Sequence, residues 1–380
     1  MSLTVEERDE LRSTARSLLS REASSERVRA TVSEAPGFDR VLWEQTVELG
    51  WTSIHVPAEL GGAGAGYAEL AVVLHELGRA IVPSPFLASA VLATSALLAS
   101  DDAPVASELL ASLVDGASLG SVALASVDGS YDLHRSTLHW EHARGSVRLR
   151  GSAGFVLDAD VADFLLVAAL DQDDRPAVVA VDRATPGVRV ERAATVDVTR
   201  RLFTVAFDDV VVADDRLLCE PGEAAQELFD RMVAVGVIAA ACDATGVTEH
   251  ALERAADYAK ERVQFGKPIG SFQAVKHHCA NMAIAVEASR AAVRGAVDAL
   301  DGDPDGWSRI ASVTSSYVGP ACAEACALAL RVYGGIGFTW EHESHLYLKR
   351  VKLDELLFGT PSWHRRRLAS TLIESVNERG

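Results

Sequence analysis

The sequence predicts an α+β fold made of three consecutive domains that are helical, then β, then helical. Apolar residues recur at helical spacing in the first part of the chain, give way near Gly116 to short Val- and Leu-rich segments, and return to helical spacing at Pro221. We therefore place an N-terminal helical domain at residues 1–115, a middle β domain at 116–219 and a C-terminal helical domain at 220–380. A chain of 380 residues is long enough for roughly two or three such units.

In the N-terminal domain, apolar residues at helical spacing include Leu11, Ala15 and Leu18, and the pattern is longest over residues 67–82. These segments should pack as helices. A glycine-rich connector at residues 60–67 has spacing similar to that of a phosphate-binding loop. It has no buried strand before it and lacks the Lys-Ser/Thr pair that holds a nucleotide, which favours a flexible loop before a helix.

The middle domain is predicted to be a small β-sandwich or barrel. Its apolar segments are short, rich in Val and Leu, and separated by Asp, Gly and Pro, as is typical of strands. The predicted strands are residues 121–126, 146–150, 163–168, 177–181, 188–192 and 201–212.

The C-terminal domain is predicted to be a bundle of long helices around one central helix. That helix is apolar nearly all round between Met232 and Cys242, as expected at the centre of a bundle. The predicted helices are residues 221–262, 272–300, 307–333 with a kink at Pro320, 342–357 and 361–378. Because helices and strands do not alternate along the chain, a Rossmann domain is not predicted.

Composition argues against several classes of function. A formal net charge of −18 disfavours binding to nucleic acid or to anionic membranes, which need clustered cations. No apolar run approaches about 18 residues and the N-terminus is acidic, so we expect no membrane span, no signal peptide and a cytoplasmic location. The five cysteines lack CxxC spacing, and His277 and His278 point about 100° apart on a helix, so no metal site is predicted.

Two stretches at breaks between long helices carry the functional prediction. Residues 261–273 read Glu-Arg-Val-Gln-Phe-Gly-Lys-Pro-Ile-Gly-Ser-Phe-Gln, and residues 331–338 read Arg-Val-Tyr-Gly-Gly-Ile-Gly-Phe. At such breaks, backbone N–H groups and an arginine become available to a phosphate-bearing ligand. With the order of the domains, these motifs resemble those of the acyl-CoA dehydrogenase family of flavoenzymes over essentially the whole chain. The resemblance implies a C-terminal domain of the four-helix-bundle type.

The resemblance implies FAD as the cofactor. Arg262, with Gln264 nearby, would hold the pyrophosphate, and Phe265 and Gln273 would line the adenosine side. The residue types suit these roles, because an arginine binds a diphosphate through paired N–H groups and an aromatic ring stacks on adenine.

The resemblance also implies an oligomer. In the family, the glycine pair lets the FAD of a neighbouring subunit approach the backbone, so Arg331, Gly334 and Gly335 would contact a neighbour's cofactor. At least a dimer is then required, either homomeric or heteromeric, and a dimer of dimers is expected. We expect the Arg262 stretch of one chain to meet the Gly334 stretch of the next.

On the flavin side the family motifs are incomplete. Residues 124–127 and 155–157 fall where the family has its flavin-contacting elements, but the expected Thr and Glu residues are missing. Phe155 is retained as an aromatic residue that would cover the flavin ring. Thr360, the last residue of a Leu-Phe-Gly-Thr tetrad, is also placed at the cofactor.

The expected reaction is the α,β-dehydrogenation of an acyl-CoA or related thioester, with electrons passing to an electron-transfer flavoprotein. Removal of the α-proton needs a carboxylate in a dry cleft. Many family members carry this Glu at the position of Phe358, and others at the position of Gly236. This chain has neither carboxylate, although the Phe358 backbone N–H remains available to polarise a thioester carbonyl.

Three interpretations follow. The chain is a catalytically incompetent, FAD-binding or structural subunit of a hetero-oligomer whose sister chain carries the Glu. Alternatively, another carboxylate replaces the base: Asp243, two helical turns after Gly236 and on the same face, or Asp354 or Glu355, just before the tetrad. The third interpretation is a flavoenzyme that oxidises a non-CoA substrate, such as a nitroalkane or an acyl group on a carrier protein.

Overall fold

The computed structural model describes residues 3–100, 103–142, 145–302 and 306–377, and it confirms the predicted α+β class. The N-terminal helices are α1 (Val5–Glu22), α2 (Ser25–Ser33), α3 (Arg40–Glu48), α4 (Tyr67–Arg79), α5 (Thr94–Ala99) and α6 (Pro104–Val114). A π-helical segment, Leu87–Ala93, leads into α5. The glycine-rich connector is a loop before α4, as predicted, but it is closely packed: a Cβ at Gly62 would lie 2.2 Å from the Val56 carbonyl oxygen.

The middle domain is one continuous curled sheet. Its strands are β1 (Gly120–Ala123), β2 (His139–His142), β3 (Ser146–Leu157), β4 (Phe164–Leu170), β5 (Pro176–Asp182), β6 (Val188–Arg192) and β7 (Leu202–Ala213). Strand β4 pairs in parallel with β1 and β2 and antiparallel with β5. Strand β3 pairs antiparallel with β2 and β7, and β7 pairs with β6. The six predicted strands are confirmed, whereas β2 was missed because Trp140 is its only apolar residue.

The C-terminal domain is built around α7 (Glu223–Glu261), which contacts α4, α8 (Gln273–Gly302), α9 (Trp307–Tyr333) and α10 (Ser344–Asp354). Helix α11 (Pro361–Asn377) packs on α9. Every residue from Met232 to Cys242 is buried, which confirms α7 as the central helix. By length and composition, α7 and the Trp307–Phe338 segment could cross a membrane, but the apolar window of α7 is entirely covered by protein. That burial is typical of a core helix.

The two motifs form the turns that follow α7 and α9. After α7 the chain makes a short hairpin from β8 (Val263–Gln264) and β9 (Lys267–Pro268), with positive φ angles of 53° at Phe265 and 76° at Gly266. After α9, Gly334 adopts a φ of 66° and ends the helix, as predicted. Glycine adopts this conformation without steric cost and is therefore the usual residue at such a helix end.

Candidate cofactor-binding and catalytic sites

The two motifs lie together at one end of the helical bundle. Tyr258, one helical turn before Arg262, packs ring to ring with Tyr333, the residue before Gly334, at a centroid distance of 5.0 Å. A single chain therefore presents both motifs at the same end. We call this end, formed by residues 262–273 and 331–338, the hairpin end.

The hairpin end is open, cationic and aromatic. Within the described part of the chain, the exposed guanidinium groups of Arg262 and Arg331 form no hydrogen bond or ion pair. The Phe265 ring is 91% exposed. A Cβ added at Gly334 or Gly335 would meet no atom within 4 Å, so the backbone there is accessible. These features fit a ligand with a diphosphate and an aromatic ring, which free arginines and an exposed aromatic face bind well.

Three other predicted cofactor residues have different surroundings. Gln264 is exposed and its side-chain amide donates a hydrogen bond to its neighbour's carbonyl, Val263 O, at 2.8 Å. Gln273 is exposed at the start of α8. The Thr360 hydroxyl accepts a hydrogen bond from the Trp363 backbone N–H at 3.2 Å and so caps helix α11. Their contacts with the cofactor stay predictions.

At the other end of α7, the two positions of the family base are in direct contact. A Cβ built at Gly236 would lie 2.5 Å from Cδ1 of Phe358 and 2.6 Å from its Cγ. The Phe358 ring is thus packed on the bare helix backbone, and it is only 2% exposed. A side chain of any size at position 236 would require this ring to move.

Two residues pack around Phe358: Tyr131, which the sequence did not single out, and His364, which belongs to the basic run 363–367. The Tyr131 ring lies 5.6 Å from the Phe358 ring between centroids. His364 is buried, and its Nε2 lies 3.1 Å from the Phe358 carbonyl oxygen while its Nδ1 lies 3.1 Å from Ser312 Oγ. For Tyr131, the available signal was a lone aromatic residue among the small and polar residues 125–130.

Phe155 lies on the same side of the molecule as this pair. It has a positive φ of 54°, lies at an irregularity of β3, and is 41% exposed. Its ring packs over the turn at Gly129, where an added Cβ would approach Cε2 to 3.0 Å. An open groove of about 530 Å³ follows the same turn, lined by Ser126, Val127, Asp128, Arg135 and Thr137. A half-exposed aromatic beside a groove fits the flavin-covering role predicted for Phe155.

The length of α7 separates these two regions within one chain. Gly236 and Arg262 are 262 − 236 = 26 residues apart on one helix and its cap, which is roughly 39 Å at about 1.5 Å per residue. The Arg262 and Gly334 stretches of a single chain lie at the same end of the bundle, so one chain can present both to the same ligand. Our expectation that they come from different chains stays a prediction.

The structure contradicts Asp243 as a catalytic base. Its carboxylate is buried and accepts hydrogen bonds from Arg350 Nε at 2.8 Å and Arg350 Nη2 at 2.9 Å, with Arg200 Nη2 at 3.2 Å. Burial opposes ionisation, but the charges of Arg350 and Arg200 hold the pKa of Asp243 below its usual range. A carboxylate that is ionised and doubly paired would have to break these contacts to accept a proton. Asp243 is therefore a structural residue.

The other two candidate carboxylates are also engaged. Asp354 is buried and accepts a hydrogen bond from Arg200 Nε at 2.9 Å, and burial raises its pKa well above the usual range. Glu355 forms an ion pair with Lys352 on α10. Neither is an unpaired carboxylate that could take the α-proton.

The three-domain architecture, with an open cationic hairpin end and a half-exposed aromatic beside a groove, is that of an α+β protein that presents a binding surface for a ligand with phosphate and aromatic groups. Family models for the acyl-CoA dehydrogenase N-terminal domain and C-terminal domain match residues 5–116 and 228–373. The chain belongs to the acyl-CoA dehydrogenase family, which confirms the resemblance, and its cofactor is FAD.

Relatives cover nearly the whole chain. Acyl-CoA dehydrogenase IpdE2 from Mycobacterium tuberculosis is 33% identical over 97% of this chain and 98% of its own length. A variant of the Tcur3481–Tcur3483 steroid ACAD has a TM-score of 0.89 at 30% identity, covering 98% of this chain and 99% of that one. The ChsE4–ChsE5 complex from Mycobacterium tuberculosis has a TM-score of 0.87 at 27% identity, covering 98% of both chains.

Proposed function

We propose that this chain is the subunit without a base in a heteromeric FAD-dependent acyl-CoA dehydrogenase, and that its partner chain supplies the carboxylate. The observation that carries the proposal is the packing of Phe358 on the backbone of Gly236, because the family resemblance implies a base at one of these two positions and a hydrocarbon ring fills both. The ion pairs of Asp243 support it, because they remove the nearest substitute. Two of the similar structures, ChsE4–ChsE5 and Tcur3481–Tcur3483, combine two components.

In this arrangement the hairpin end completes the FAD site of the partner chain. Arg262 and Arg331 would bind the diphosphate, and Phe265 would stack on the adenine. Gly334, with no Cβ and open space in front of it, would let the cofactor approach the backbone. When bound, FAD supplies the acceptor for the hydride that leaves the substrate β-carbon. The α-proton would go to the carboxylate of the partner chain, outside the residues of this one.

The assembly we propose is a dimer of dimers located in the cytoplasm. The hairpin end is its contact surface, because Phe265, Ile336 and Phe338 are exposed there by 91%, 50% and 70%. Exposed large apolar and aromatic residues that lie together mark protein interfaces. The substrate is an acyl-CoA thioester, and an electron-transfer flavoprotein is the proposed electron acceptor.

The test is to measure FAD per chain in the purified chain alone and after co-expression with base-containing family chains from the same genome. We expect less than one FAD per chain alone, and a higher content in a complex whose flavin absorbance is bleached anaerobically by acyl-CoA. Within that complex, Arg262→Ala in this chain should lower the FAD content. Lys260→Ala is the matched control, because this exposed cation pairs with Asp257 on its own helix.

The other outcomes separate the alternatives. Rapid bleaching of the flavin by acyl-CoA in the purified chain alone would refute the proposal. Full FAD occupancy of the chain alone, with no response to acyl-CoA, would favour a flavoenzyme with a non-CoA substrate. An unchanged FAD content in the Arg262→Ala complex would remove the hairpin end from the partner's cofactor site.

A further inference from the structure

We propose that His75, together with Glu76 and Glu249, forms a proton-dependent clamp that holds helices α1 and α4 of the N-terminal domain against helices α7 and α8 of the bundle. The clamp is closed while the imidazole carries a proton and loosens when the proton is lost. His75 lies on α4 and faces an open groove of about 1050 Å³ between these four helices. The inference concerns how one domain is attached to another, and it does not depend on the function proposed above.

The positions of the two ring nitrogens are the first support. His75 Nε2 lies 3.0 Å from Glu249 Oε2 on α7, and its Nδ1 lies 3.4 Å from Glu76 Oε1 on its own helix. A neutral imidazole carries one N–H, whereas the charged form carries two. Each nitrogen faces a carboxylate oxygen, which accepts but does not donate. The charged form therefore fits this position, and the neutral form would turn one nitrogen lone pair towards an anion.

Both carboxylates are shared with further helices. Arg16 on α1 donates to Glu76 from Nη2 at 2.8 Å and from Nε at 2.9 Å. Arg79 on α4 donates from Nη1 to Glu249 Oε1 at 2.9 Å. Arg290 on α8 forms an ion pair with Glu249 Oε2. The two carboxylates that contact the imidazole therefore connect all four helices.

The charges of the cluster balance only when the imidazole is protonated. Two of its arginines also pair with a second carboxylate, Arg79 with Glu253 at 2.6 Å and Arg290 with Glu287 at 2.5 Å. Within the described part of the chain, three arginines of the cluster thus meet four carboxylates (3 − 4 = −1), and the charge of His75 makes up the difference. The other charged residues along the groove have opposite charges beside them: Arg8 with Glu69, Arg12 with Asp9, and Arg294 with Asp298 at i,i+4 spacing on α8.

Close packing makes the crossing of α4 and α7 sensitive to this cluster. A Cβ added at Gly246 on α7 would lie 2.0 Å from the His75 carbonyl oxygen, and one at Gly78 on α4 would lie 2.2 Å from the Asp243 carbonyl oxygen. The backbones of the two helices are therefore in contact at these points. Loss of the imidazole charge leaves Glu76 on one helix and Glu249 on the other without the cation between them, and their repulsion opposes this contact.

The direction of the pH dependence follows from the same contacts. Burial disfavours the charged imidazole, but Glu249 and Glu76 outweigh it and raise the pKa of His75 above its ordinary value of 6.5. The clamp therefore stabilises the folded chain fully below about pH 6.5, and this stabilisation is lost as the pH rises through the pKa of the folded state. The side chain is 18% exposed, so protons reach it from the groove.

The experiment is hydrogen exchange of the purified full-length chain, followed by mass spectrometry at pH 6 and pH 9, with rates corrected for the intrinsic effect of pH. His75→Gln keeps a polar side chain and cannot carry the charge. At pH 6 we expect α1 and α4 to exchange about fivefold faster in this variant than in the wild type, the effect of one partly buried ion pair. At pH 9 the two proteins should exchange alike, and strand β3 should be unchanged at both pH values. His277→Gln, at an exposed position of α8, is the matched control and should behave as the wild type.

Two results would overturn the proposal. If His75→Gln accelerates exchange of α1 and α4 equally at both pH values, the ring acts through its shape and not through its charge. If it has no effect at pH 6, the ring does not hold the helices. Should the variant not fold, the wild type decides alone: its protection of α1 and α4 relative to β3 should fall about fivefold between pH 6 and pH 9, and a constant ratio would reject the clamp.

Discussion

Replacement of Arg350 by methionine should destabilise the chain strongly, because this side chain neutralises a carboxylate in the interior. Arg350 is 3% exposed, donates to both oxygens of Asp243 at 2.8 and 2.9 Å, and reaches Thr199 Oγ1 at 3.0 Å. Removing one partner of a buried ion pair costs about 3–5 kcal/mol. Arg200 would remain 3.2 Å from Asp243, so we expect the lower end, about 3 kcal/mol. For a chain of 380 residues that corresponds to a fall of roughly 4 °C in melting temperature.

Thermal unfolding of the purified chain, followed by circular dichroism, is the assay. The double variant Arg350→Met with Asp243→Asn removes the uncompensated charge and should recover at least half of the loss, because the two sites share one interaction. Arg366→Met, at an exposed position of α11, is the matched control and should change the melting temperature little. A fall of less than about 1 °C for Arg350→Met, or a double variant that is no more stable than the single one, would refute the structural role given to Asp243.

Two further predictions use the same stability assay. Gly236→Val should lower the melting temperature, because the valine side chain would collide with the Phe358 ring. Adding Phe358→Ala should restore part of the loss, and a double variant whose loss equals the sum of the two single losses would contradict the contact between the two residues. Burial raises the pKa of Asp158 to about 7, so the folded state favours the neutral carboxyl. This preference stabilises the folded chain fully below about pH 4, and the stabilisation is lost as the pH rises towards 7. Asp158→Asn should therefore stabilise the chain against urea more at pH 8 than at pH 5, and an equal effect at both pH values would argue against the buried, neutral carboxyl.

The sequence predicted those parts of the fold whose structure is determined by residues close together in the chain. The apolar run from Met232 to Cys242 predicted a central helix because every face of it is buried. Gly334 predicted the end of α9 because its conformation is needed at that single position. Strand β2 has no such signal, since three of its four residues are exposed and only the partner strands define it.

The roles of single residues in the site depended on contacts between distant parts of the chain. Asp243 lies on the same helix face as Gly236 and was a reasonable candidate for the base by spacing alone. Its partner Arg350 is 107 residues further along, and no local pattern reveals that pair. Tyr131 and Phe358 are separated even further, and they come from different domains. Burial and pairing decide whether a carboxylate is a base or a structural ion, and neither property is visible in spacing.

Helix α7 separates the predicted cofactor-binding residues of the chain from the two predicted base positions. The hairpin end begins at Arg262 and the Phe358 contact lies at Gly236, roughly 39 Å away along the helix at about 1.5 Å per residue. Substitutions at such a distance, with no shared partner, are expected to act independently. The ring of Phe358 can therefore occupy the base position at Gly236 without disturbing Arg262, Arg331 or the open backbone at Gly334. In a heteromeric enzyme, selection would preserve the hairpin end for its binding of the partner's FAD. It would preserve the Phe358 region only for its contribution to packing.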